Sequence, residues 1–108
     1  MQNEINTLIE AIKADYATFG APTGDATRDA IRAKMVEKFN ESVTATEGKK
    51  YIKIIQNRSV WGFVVAVDND KKFPKGTILK AASWAAPARN FGRGNVLEGG
   101  YTVRWTGA

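Results

Sequence analysis

The sequence predicts an α+β fold in which two N-terminal amphipathic helices pack on a small antiparallel sheet. Three observations carry that expectation. Apolar residues recur at helical spacing up to about residue 44, β-branched and aromatic residues take over from about residue 49, and Gly, Pro and Asn then punctuate the chain at short intervals. With 108 residues, 44% hydrophobic and 25% charged, the composition is that of one globular domain over 1–108, with a helical segment at 1–44 and a basic β segment at 49–108. A chain of this length buries roughly two-thirds of its unfolded surface and needs no disulfide or metal staple.

Ile5, Leu8, Ile9, Ile12, Tyr16 and Phe19 fall at spacings of three and four, one stripe of a helix that begins near Asn3 and ends at Gly20. "GAPTGD" supplies the breakers, and Asp25 or Thr27 caps a second helix whose apolar face is Ile31, Met35, Val36 and Phe39, fading by about Val43. In "YIKIIQNRSVWGFVVAV" the polar pair Asn57-Arg58 interrupts two strand-like runs, the pattern of a hairpin. Val60 to Val67 is apolar at both alternating positions except Gly62, so it reads as a central strand covered on both sides. "DNDKKFPKG" is a polar turn closed by Gly76, "TILKA" a further strand, and the alternating "YTVRWTG" a last one. Strands this short, with glycine at their bends, also allow an SH3-like or OB-like half-barrel.

The chain has no Cys and no His, which removes Ser-His-Asp and Cys-His nucleophile pairs, HExxH sites and Cys/His zinc sites. "DND" at 68–70 opens like a calcium loop, but Phe73 and Leu79 stand where that loop needs Gly and Glu. Neither GxGxxG nor GxxxxGK[ST] is present. The expectation is a non-enzymatic protein with no catalytic residues, no metal and no cofactor. "MQNEINTLIE" lacks the basic start and apolar run of a signal peptide, and the longest apolar run is "FVVAV", so the sequence reads as soluble and cytoplasmic, without a membrane partner.

The net charge of +5 is unevenly placed: residues 1–48 carry −3 and residues 49–108 carry +8. No acid occurs between Lys71 and Leu97, and this basic stretch contains "SWAAPARNFGRGN", a long segment that fits neither helix nor strand. Its residue types suit a polyanion. Arg89 and Arg93 can fork onto phosphates, Asn90 and Asn95 can read a base edge or cap a turn, and Trp84 and Phe91 can stack, with Lys80 beside the loop and Arg104 on the last strand as further cations. The alternative is a structural plug, with Trp84 and Phe91 folded inward and the Asn side chains closing backbone hydrogen bonds. The first arrangement implies nucleic acid or another polyanion as partner, the second an accessory or protein-interaction role with no nucleic-acid binding.

The C-terminal third, "KGTILKAASWAAPARNFGRGNVLEGGYTVRWTGA", resembles a segment of small uncharacterised proteins of tailed bacteriophages, marine ones included. The shared pattern is a K-G-x-I-x-K-x-A-S-W opening, an A-P-A-R-N-x-x-R-G-N centre and a W-T-G close. The resemblance does not reach the helices. It implies a phage or phage-like source, action in the host cytoplasm and a phage or host protein as a possible partner, and it brings no activity or catalytic residue with it.

Overall fold

The computed structural model describes residues 1–18 and 24–108; Phe19, Gly20 and most of the "GAPTGD" breaker lie outside the described residues. Helix α1 spans Gln2–Thr18 and buries Ile5, Leu8, Ile12 and Tyr16, the expected stripe. Helix α2 spans Ala26–Ser42, and of the two possible caps Asp25 acts: its Oδ1 accepts from the backbone N–H of Thr27 at 2.9 Å and of Arg28 at 3.1 Å. Among the described residues, no helix is long and apolar enough to cross a membrane.

Four strands follow, β1 Thr44–Glu47, β2 Tyr51–Gln56, β3 Ser59–Val65 and β4 Ile78–Leu79, antiparallel in the order β1-β2-β3-β4. The β2–β3 turn is the expected one, and Asn57 and Arg58 both take positive φ (45° and 65°), which matches the twist of a tight hairpin. The sheet is an open meander in that order rather than a half-barrel. Strand β1 is an addition to the sequence reading, a four-residue edge with every residue exposed.

Strand β3 organises the core. Val64 sits between Ile52 and Ile78 in register, and these three face α1 together with Ile54, Trp61 and Val96. On the opposite face Phe63 lies between Lys53 and Leu79, and a smaller cluster of Phe63, Val65, Phe73 and Leu79 is covered by Tyr51, Val60, Val67 and Ala81. The inner face is therefore the helix side and the outer face the side of the 66–95 loops. A bulge lies at Ile54/Ile55, where Gly62 and Val60 are paired and Trp61 is the extra residue. Trp61 is 2% exposed, and its Nε1 donates to the Arg104 carbonyl at 2.6 Å.

Two expectations need correction. "YTVRWTG" is not a strand. Its alternation is real, since Tyr101, Val103 and Trp105 are half-buried while Thr102, Arg104 and Thr106 are exposed, but the tail makes no ladder: Tyr101 lies against Gly94, and Trp105 packs on the helices. The Trp105 N–H donates to Asp15 Oδ2 at 2.8 Å, its ring meets Tyr16 and Phe39 edge-on, and the Ala108 N–H donates to the Trp61 carbonyl. The second correction concerns α2. Phe39 is buried in a 3.9 Å stack on Tyr16 and Val36 is half-buried, but Ile31 and Met35 are 56% and 48% exposed, because α2 meets α1 along the side that carries Arg32, Val36 and Phe39.

Val64 is fully buried with apolar neighbours on both sides in the sheet. Val64→Asp is expected to unfold the protein, because burying an unpaired carboxylate costs several kcal/mol against a total stability of about 5–15 kcal/mol. Loss of the cooperative urea transition checks this; a native transition would place the strand at an edge.

Candidate functional site

The outer face acquires its shape from the turn at 68–76. Asp70 Oδ1 accepts from the backbone N–H groups of Lys72 and Phe73, both at 2.9 Å, and this turn delivers the Phe73 ring, 8% exposed, into the outer cluster. The same carboxylate receives Arg89 as a fork: Nη2 donates to Oδ1 at 2.8 Å and Nη1 to Oδ2 at 2.9 Å, while Nη1 also reaches the Tyr51 hydroxyl at 2.6 Å. The guanidinium lies 5.1 Å from the Phe73 ring centroid, and Lys72 Nζ donates to the Arg89 carbonyl. The Arg89 hydrogen bonds, with those from the Phe73 and Lys72 backbone, hold the Asp70 carboxyl well below the usual carboxylate range, and Asp70 in turn raises Arg89 above its ordinary value.

Between these anchors the chain forms a narrow arm. Lys80 accepts at its carbonyl from the Ala88 N–H at 2.7 Å, Ala81 bridges Pro87, and the Ala82 and Ser83 N–H groups both donate to the Ala86 carbonyl. Trp84 is thereby set on the tip, 56% exposed, with Lys53 Nζ 4.7 Å from its ring centroid. Beyond the arm, Phe91 is 57% exposed and carries the Arg93 guanidinium at 4.3 Å. The segment then returns along β4, the Arg93 N–H donating to the Ile78 carbonyl at 2.7 Å and the Ile78 N–H to the Gly94 carbonyl at 2.8 Å. Asn95 closes it: Nδ2 donates to the Lys75 carbonyl at 2.9 Å and Oδ1 accepts from the Leu97 N–H at 2.8 Å. Gly76 is required opposite, since its φ is +90° and a Cβ there would stand 2.6 Å from Asn95 Oδ1.

The residues singled out in the sequence thus divide three ways. Lys80, Trp84, Asn90 and Arg93 are exposed on the arm and the loop that follows it. Arg89 and Asn95 spend their hydrogen-bonding groups within the fold. Arg104 lies on the tail, which packs against the helix-side core, away from the others. The inward plug of Trp84 and Phe91 does not form, because Phe73 fills the outer core in their place.

Sequence reading passed over a second basic element. Next to the arm is a groove of about 240 Å³ with Tyr51 and Phe63 among its lining, Lys49, Lys50 and Lys53 around it, and Ala85 of the arm on one side. Lys53 was recoverable from "YIKII", where it alternates with the buried Ile52 and Ile54 and so must face outward with Tyr51. Among the described residues, no group of three or more acidic side chains could hold a metal ion.

A family model described as a family of unknown function, DUF7717, matches residues 2–102. No curated protein and no solved structure matches the chain.

The Asp70–Arg89 fork generates a pH dependence of known sign. A carboxyl whose folded pKa is depressed contributes stability that is complete above the ordinary range near 4 and is lost as pH falls through the folded value. Asp70→Asn is therefore expected to be less stable than the parent at neutral pH, with the gap closing steadily below about pH 4. Urea unfolding of both proteins across that range checks it, and a gap independent of pH would mean that the fork does not hold the carboxylate.

Proposed function

Since the chain belongs to DUF7717, a family whose description assigns no function, we propose from its geometry that it is a small non-enzymatic binding module for nucleic acid, acting through the outer face of the sheet and the arm above it. One observation carries this reading: two large rings, Trp84 and Phe91, stand more than half exposed in a stretch free of acids, each with a cation over it. Burial against a ligand would stabilise such rings by about 1.5–3 kcal/mol each, a contact that their exposure leaves open. Lys80 and Arg93 supply phosphate contacts beside them. Of the two acids that flank this stretch, Asp70 is engaged by Arg89, and Glu98 lies exposed on the Arg93 side, away from the arm tip.

A phage-encoded protein acting on nucleic acid in the host cytoplasm is consistent with the bacteriophage resemblance of the C-terminal third. A second reading, an accessory protein that contacts a phage or host protein, draws on the exposed Ile31 and Met35 of α2. The two are separated by fluorescence anisotropy with labelled oligonucleotides at several salt concentrations. Arg93→Ala is expected to weaken binding to every sequence and to lower the log–log salt slope by roughly 0.7–0.9. Arg89→Ala is expected to act on folding, through loss of the Asp70 fork. Absence of oligonucleotide binding at low salt would overturn the nucleic-acid reading and leave the accessory role.

A further inference from the structure

We infer that the ligand of this face is single-stranded nucleic acid, its backbone held by the β1–β2 hairpin through Lys49, Lys50 and Lys53 and a base stacked on Trp84; the inference rests on the nucleic-acid reading above.

The groove lies between two elements that present different chemistry. On one side the hairpin brings Lys49, Lys50 and Lys53 against one acid, Glu47, a local excess of positive charge. On the other side the arm tip raises Trp84. Lys53 belongs to both, since it lines the groove and its ammonium stands over the Trp84 ring. A phosphate beside Lys53 and a base on Trp84 would therefore be neighbours, as the phosphate and base of one nucleotide are.

That combination discriminates between nucleic-acid forms. A duplex offers its phosphates to lysines as readily as a single strand does, but its base faces are closed by their own stacking, so an exposed ring gains nothing from it. A single strand offers both. The ring is held ready for it, because the tip turn is closed by two hydrogen bonds to the Ala86 carbonyl and the arm's base by the Arg89–Asp70 fork.

The test is fluorescence anisotropy with a labelled mixed-sequence single strand of about 12 nucleotides and with its duplex, at matched salt, using the full chain. The single strand is expected to bind more tightly than the duplex. Trp84→Ala should weaken single-strand binding by roughly 5- to 150-fold, the equivalent of one stacked base, and leave duplex binding unchanged. The double variant Lys49→Ala/Lys50→Ala should lower the single-strand salt slope by about 1.4. These positions are exposed, and an unchanged thermal transition confirms folding in each variant. Equal affinity for duplex and single strand, or a silent Trp84→Ala, would overturn the single-strand inference while leaving the nucleic-acid reading in place; no binding of either probe would overturn both.

Discussion

A strand that is apolar on both faces must be covered twice, and β3 sets that constraint for the whole chain. Trp61 to Val65 are all buried. On the inner face α1, the C-terminal half of α2 and the 101–108 tail lie over the strand; on the outer face the cover is the irregular chain on either side of β4. The two covers are built on different principles. The inner one is packing, aliphatic residues of α1 against Ile52, Ile54 and Val64 with an aromatic group of Tyr16, Phe39 and Trp105 at its end. The outer one has few apolar residues and is fastened by polar anchors, the Asp70–Arg89 fork at one point and the Asn95 closure at another.

The bulge at Trp61 joins the covers to the sheet. By adding one residue opposite Ile54/Ile55, it brings Trp61 into the inner core with Val64. The indole then has to satisfy its N–H, and the partner it finds is a carbonyl of the tail. Gly62 follows for a steric reason, since a Cβ there would stand 2.8 Å from the Leu79 carbonyl and 2.9 Å from the Ala108 side chain. One irregularity in β3 thus fixes where the tail lies, and the tail in turn completes the burial of Tyr16 and Phe39.

Legibility in the sequence followed how locally each feature is decided. The helix stripe of α1, a cap at Asp25 or Thr27, the Asn57-Arg58 turn and the central place of β3 were readable, because each rests on spacing or residue type within a few positions. Strand β1 was not, since "TATE" is exposed throughout and leaves no alternation to read. The tail was misread for a subtler reason: alternation reports that one side is buried, and says nothing of whether a strand or a helix buries it. The candidate site was least legible at its arginines. Arg89 and Arg93 are the same residue type four positions apart, and what separates them is Asp70, which reaches Arg89 across 19 residues of chain.

The polar fastening of the outer cover is also what makes a site there reasonable. Had the loop been held by its rings, Trp84 and Phe91 would point inward and be unavailable, and only backbone and lysines would face solvent. Instead Phe73 alone fills the outer core from this region's turn, Arg89 is consumed in holding it, and the remaining cations and rings are released to the surface. The chain's charge asymmetry supports the same conclusion. The acidic excess is carried by the helical segment, which covers the inner face, while the basic excess belongs to the residues that form the sheet and its outer cover. The charge balance of the chain thus changes sign between its helical part and its sheet part, with Glu47 on the first strand and Arg104 on the tail as exceptions.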